Sequence, residues 1–253
     1  MIKSKKLSKF RNIEHAFFNR LGGESTGLFK SLNCGPGSSD KKRNILKNLE
    51  TVGNKIKANP KKIILLNQVH GNKFRYISKN SKLSNTNFKG DALVTNKRST
   101  PIAILTADCA PILIHDESQE MVAAIHAGWK GAYKDIIKKV VEFMIKKGCT
   151  PQGITAAIGP CISCNNYQVR EDLIKKFIKK DKNNIIFFKK NYDKNYFDLN
   201  KYIYFQLKSL NISKIDVINK DTFNTKNNFF SARRSISRNE SDYGRNISII
   251  MIN

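Results

Sequence analysis

The chain has 253 residues, 40% hydrophobic, 9% aromatic and 26% charged, with five cysteines and a formal net charge of +26. That length allows one α/β core burying roughly 70–75% of the unfolded surface without disulfides, and an odd cysteine count fits a reducing cytoplasm better than a secreted disulfide framework. The charge invites a nucleic-acid reading, but the lysines occur in every part of the chain beside abundant asparagine and isoleucine, the pattern of solvated faces rather than of one basic patch.

No apolar run approaches the roughly 20 residues of a membrane span. The basic start "MIKSKKLSKFRN" is followed by no apolar segment of a signal peptide. Residues 10–33, "FRNIEHAFFNRLGGESTGLFKSLN", carry a Gly-Gly turn and a further glycine, which suggests a hairpin or binding loop. Residues 39–56 read as a helix, with Ser39 or Asp40 as N-cap and Ile45, Leu46, Leu49 and Val52 on one face. "IILLNQVHG" (63–71) reads as a strand ending at His70 and Gly71, and "DALVTN" (91–96) as a short strand.

In "AILTADCAPILIHD" (103–116), two strands at 102–105 and 112–114 flank a gap that contains Cys109. A strand at 121–125, a turn at 128–131 and a helix at 133–147 come next. Ile136, Ile137, Val140, Val141 and Met144 take helical spacing in that helix, and Gly148 is its C′ cap. "GITAAIGPCI" is a strand ending at Gly159 and Pro160; 170–180 and 198–210 are helical; "KIDVIN" and "NISIIMI" are strands. Strands and helices alternate only in places, which favours a mixed sheet with helices on its faces over a doubly wound fold.

Only four histidines exist: His15, His70, His115 and His126. His70 and His126, like Cys109, stand where an apolar strand gives way to a turn, and ligands of α/β sheets gather at strand ends. Cys plus two His is a catalytic zinc set that leaves a fourth position open. The spacing, 39 residues from His70 to Cys109 and 17 more to His126, matches no local zinc motif. From spacing alone three readings stand: a metal site, separate structural roles, or a Cys–His nucleophile pair.

The blocks "HAFFNRLGGESTGLFKSLN", "NQVHG", "GDALVTN", "TADCAPILIHD", "AAIHAGWKGAYKDI", "IGPCISCNNYQV" and "FFSARR…YGR" follow in this order. Together, from about Ile13 to the C-terminus, they resemble the YfiH-like family, often labelled laccase-domain or multicopper polyphenol oxidase. The resemblance implies one domain over residues 1–253, a mixed α/β four-layer α/β/β/α sandwich. It implies a metal set of His70, Cys109 and His126, holding Zn2+, with copper as a substitute ion. It also implies purine nucleoside phosphorylase activity, with Arg43 as a phosphate ligand, since the family places an Arg in that helix. The chain departs from the family pattern at Asn33-Cys34-Gly35, at Ala232, and in lacking a Cys-Thr pair near Phe223 and Asn224.

A multicopper oxidase needs many imidazoles, and four histidines do not supply them. A blue-copper centre needs an axial Met, and none of Met1, Met121, Met144 and Met251 adjoins a ligand in sequence. A Cys–His hydrolase needs a thiolate that zinc would commit. Phosphorolysis needs an anion pocket, for which Arg43, Arg20 and Lys130 are cations of the right kind, and groups for sugar and base, for which Asn33, Gln68 and Trp129 are candidates. Asp108 is either a proton carrier or the partner that orients a ligand.

Cys161 and Cys164 form a lone CxxC that shapes a turn; His115 and His15 pack; Arg233, Arg234 and Arg245 are structural or rim groups. The resemblance therefore implies a cytoplasmic zinc-dependent phosphorylase, monomer or homodimer. It would act on adenosine and inosine, with 5′-methylthioadenosine a further candidate and adenosine deamination as side activity. Its partners would be the nucleoside and phosphate, with no specific nucleic acid and no membrane. The alternatives are a copper-dependent phenol oxidase and a basic nucleic-acid-binding protein.

Overall fold

Runs of alternating residues that are apolar on both faces dominate the chain, and they build stacked sheets. The computed structural model describes residues 1–81 and 88–253. In chain order the strands are β1 (Ile13–Phe17), β2 (Phe74–Ile77), β3 (Ala92–Thr95), β4 (Ile102–Thr106), β5 (Ala110–Asp116) and β6 (Met121–Ala127). They continue with β7 (Ile154–Ile158), β8 (Gln168–Val169), β9 (Phe188–Asn191), β10 (Lys194–Phe197), β11 (Lys214–Val217) and β12 (Asn246–Ile252). The helices are α1 (Lys42–Lys55), α2 (Trp129–Tyr133), α3 (Ile136–Lys146), α4 (Glu171–Lys180), α5 (Leu199–Ser209) and α6 (Ala232–Ser237).

A six-stranded sheet has the order β11-β7-β5-β6-β3-β2, a three-stranded sheet β1-β12-β4, and a small third sheet β8-β10-β9. In the large sheet β11/β7 and β2/β3 are parallel and the other pairs antiparallel, so the sheet is mixed as expected. Alternation sends neighbouring residues to different cores. On β6, Met121, Ala123 and Ile125 pack with Ile136, Val140 and Met144 of α3. Val122 and Ala124 point the other way, to Ile102 and Ile104 of β4 and Ile250 and Ile252 of β12. The far face of the small sheet, Ala103, Ile247, Ile249 and Met251, packs on Val52 of α1 and on Ile56 just beyond it. The result is the expected α/β/β/α sandwich: helices, large sheet, small sheet, α1. No helix among the described residues is long and apolar enough to cross a membrane.

Several local expectations need correction. Residues 63–71 form no strand; Ile64 and Asn67 make only isolated bridges, to Ile102 and Lys89. Beyond them a side chain replaces the backbone partner. The Gln68 amide nitrogen donates to the Leu105 carbonyl at 2.7 Å, and its oxygen accepts the Leu105 N–H at 2.8 Å. Residues 129–133 are helical rather than a turn, and Asp135, at φ 61°, breaks the expected long helix so that α3 starts at Ile136. The N-cap of α1 is Lys41; Ser39 instead donates to Asp242, and Asp40 accepts from Ser25 and Asn33. Leu46 is 62% exposed, because the buried stripe of α1 runs through Ile45, Asn48 and Val52. Residues 10–33 make no hairpin: β1 pairs with the distant β12, and a loop follows it.

Candidate metal centre

The site forms at one end of the sandwich, where the chain changes sheets. β4 leaves the small sheet at Thr106, and β5 enters the large one at Ala110, so Cys109 lies in a three-residue crossover. Asp108 takes φ 86° there, a left-handed conformation that Asp tolerates better than most residues. The β5/β6 register places His126 opposite Pro111. His126 shares the face of Val122 and Ala124, so its imidazole points between the sheets, and it is buried. His70, at φ 56°, comes from the extended segment that Gln68 clasps to β4.

One candidate ligand atom from each of His70, Cys109 and His126 lies within 4.8 Å of the others. The two imidazoles meet edge to face, their centroids 4.7 Å apart. Gly128 leaves the space that this needs: a Cβ there would sit 2.7 Å from the Cys109 sulfur and 3.3 Å from His70 Cδ2. Two imidazole nitrogens and a thiolate are donors that zinc accepts, so the three residues fit a single such ion.

A fourth residue, not recognised in the sequence, organises them. Asp91 is wholly buried. Its Oδ1 accepts the His126 Nδ1–H at 2.9 Å and the His70 backbone N–H at 2.9 Å, and its Oδ2 accepts the Gly71 N–H at 2.7 Å. Occupying Nδ1 fixes the His126 tautomer and leaves Nε2 for the cluster. The available signal was an acid at the head of the "GDALVTN" block, immediately before a strand. The Asp108 carboxylate is taken up elsewhere, accepting from Thr222 at 2.6 Å, Ser231 at 2.9 Å and the Arg233 N–H at 2.7 Å. Asp108 anchors the C-terminal segment, and the orienting position next to the imidazole belongs to Asp91.

Electrostatics single out Cys109. Burial works against its thiolate, but His126 and His70 outweigh burial and bring the thiol down to about 6. Burial also works against charge on His126, but the Cys109 thiolate and Asp91 outweigh it and raise the imidazole to about 9. The other four cysteines, Cys34, Cys149, Cys161 and Cys164, are all pushed up by burial. None of the five is in a disulfide. Without an ion Cys109 and His126 are a thiolate–imidazolium pair: the thiolate is the form that ligates metal, and a bound ion would take the place of the His126 Nε2 proton.

The three donors line a cavity of about 730 Å³, together with Gly35, Gln68, Thr106, Tyr243 and Arg245. Asn33 is fully buried with its side chain engaged inside the protein, donating to Ser38 and Asp40 and accepting from Gly35 and Arg245. Gln68 reaches the wall, but its amide is held by Leu105. Arg43 is exposed on the first turn of α1, and Lys130 is exposed near Trp129; neither lines this cavity. Arg20 lies over the Phe230 ring instead. The cation in the wall is Arg245, expected from the sequence to be a structural or rim group. Its guanidinium donates to Asp242 at 3.0 Å and to the Tyr243 carbonyl at 2.6 Å. Gly35 makes room for it, since a Cβ there would stand 2.4 Å from Arg245 Cδ. His15 and His115 lie away from the cavity, His15 accepting the Ser4 N–H and His115 packed against Phe10.

Residues 14–253 match the family model described as multi-copper polyphenol oxidoreductase laccase. A purine nucleoside phosphorylase of Bacteroides thetaiotaomicron is 30% identical over 263 aligned positions, covering 100% of this chain and 96% of that protein. One of Rickettsia prowazekii is 33% identical over 193 positions, 76% of this chain and 78% of its own. The crystal structure of Bacillus licheniformis hypothetical protein YfiH superimposes with a TM-score of 0.88 at 26% identity, over 95% of this chain and 93% of that one.

Proposed function

The chain belongs to the family described as multi-copper polyphenol oxidoreductase laccase, and from that premise we propose that it is a zinc-dependent purine nucleoside phosphorylase. The observation that carries this reading is the meeting of His70, Cys109 and His126 in a cavity whose wall also holds Arg245. The names of its relatives supply the reaction class.

The donor set argues against the multi-copper description for this chain. Of four histidines, His15 and His115 are buried elsewhere in the fold, leaving two for metal. No methionine is among the residues lining the cavity, so no axial thioether is at hand for a blue-copper centre. Copper at these ligands would be a substitute ion.

His70, Cys109 and His126 would hold zinc, which supplies a Lewis acid for a substrate oxygen. Asp91 keeps the His126 imidazole in the ligating tautomer. Arg245 presents a guanidinium to the phosphate that attacks C1′ of the ribose, a match of fork to oxyanion. The glycosidic bond breaks, the base leaves with a proton, and ribose 1-phosphate forms. Adenosine and inosine are the proposed substrates, with 5′-methylthioadenosine a further candidate. Adenosine deamination would be the minor activity, because hydrolytic deaminases use a Glu as proton carrier and no Glu is among the lining residues. A cytoplasmic monomer or homodimer completes the reading.

The test is to incubate the protein with inosine, with and without phosphate. Hypoxanthine release that requires phosphate is expected. Release indifferent to phosphate, or phenol oxidation with copper in its place, contradicts the proposal.

A further inference from the structure

A second cavity, of about 530 Å³, shares no lining residue with the one that holds the metal donors. Trp129 and Tyr167 stand in its wall with three cations, Arg170, Lys176 and Arg233, and one carboxylate, Asp172. The cations lie against the rings. Lys176 Nζ is 5.7 Å from the Trp129 centroid, and the Arg233 guanidinium is 5.6 Å from that of Tyr167. Among the described residues none of the three forms an ion pair with a carboxylate. Three cations against one carboxylate leave this concave, aromatic surface net positive, which favours an anion there.

Inorganic phosphate alone leaves most of this space empty, since cavities of roughly 300–1,000 Å³ take whole small molecules. The aromatic walls ask for a flat ring, on which bases stack, and the cations ask for phosphate oxygens. Asp172 is placed to accept from ribose hydroxyls or a base amine. We propose that this cavity is a binding site for a nucleoside 5′-phosphate, the base against Trp129 and Tyr167 and the phosphate at Arg170, Lys176 and Arg233.

Such a ligand would lie close behind the metal donors, linked to them in two ways. Trp129 follows Gly128, which backs the Cys109 sulfur, and the Arg233 N–H is bonded to Asp108, the neighbour of Cys109. The site stands whether or not the first cavity catalyses phosphorolysis.

Trp129 is the chain's one tryptophan, so intrinsic fluorescence reports on this cavity. The experiment titrates the protein with AMP, adenosine and inorganic phosphate in turn. AMP is expected to give a saturable change, with adenosine and phosphate each at least tenfold weaker. The double variant Arg170→Ala/Lys176→Ala, at exposed positions that leave the core intact, should weaken AMP at least tenfold. A control, Lys138→Ala/Lys175→Ala, removes two exposed lysines outside the cavity and should leave AMP binding within twofold. No saturable change with AMP overturns the proposal. So does phosphate binding as tightly as AMP, AMP binding unaltered in the Arg170/Lys176 variant, or equal weakening in the control.

Discussion

One carboxylate ties together the two segments that carry the imidazoles. Asp91 accepts from His126 Nδ1 and from the backbone of His70 and Gly71. Partners of this kind raise ligand basicity and fix ring orientation. Asp91→Asn should therefore weaken metal binding by roughly 10–100-fold, read by competition with a chelator; unchanged affinity would reduce Asp91 to a backbone clamp. Two other buried histidines set the acid limit of the fold. Burial pushes His15 and His115 down to about 4, against an ordinary 6.5. Between those values the unfolded chain binds more protons than the native one, so stability falls as pH falls through this window and is regained above it. At pH 5 each should cost about 2 kcal/mol relative to neutral pH. His115 has both ring nitrogens without a hydrogen-bond partner, so His115→Leu should lose markedly less stability between pH 7 and pH 5 than the parent, by urea denaturation. An equal loss in both proteins would show that His115 does not carry this dependence.

At the scale of elements, the strands were the legible part of the fold. β3 to β7 and β12 are buried on both faces, and such strands read as apolar runs in a sequence. Residues 63–71 carried the same signature and formed no strand, because the Gln68 side chain completes the pairing with Leu105 that backbone would have made. The break between α2 and α3 was equally hidden: Asp135 sits inside a helical pattern yet takes φ 61°. The three donors were legible as polar residues at the ends of apolar runs. Asp91 was not, since it meets His126 only through the pairing of Ala92 with Ile125, a contact across 33 positions that no local pattern records. Arg245 was missed for a similar reason: its place depends on Gly35 and Asn33, far away in the chain. The junction of β6 and α2 has little tolerance at Gly128. Gly128→Ala should displace the Cys109 sulfur or His70 ring and lower bound metal several-fold, measured on purified protein with far-UV dichroism as the control for folding. Full metal loading in this variant would mean that the cradle relaxes at no cost.

Over the whole molecule, three apolar layers share their sheets: every central strand contributes to two cores. Losing one layer exposes a face of the next, so unfolding should be a single cooperative event. Fluorescence of Trp129, beside the site, and far-UV dichroism should give coincident urea transitions; a separate early loss of the fluorescence signal would show that the α2 region melts alone. The net charge of +26 is likewise spread over the whole chain. It provides a field that attracts anions and that salt weakens. The proposed function requires His70, Cys109 and His126, distant in the chain, to hold one catalytic ion. Its most direct test is the metal content of freshly purified parent and Cys109→Ala proteins, assayed beside phosphate-dependent hypoxanthine release. About one zinc per chain is expected in the parent, with both metal and activity lost in the variant. A Cys109→Ala protein that cleaves inosine at the parental rate would contradict it.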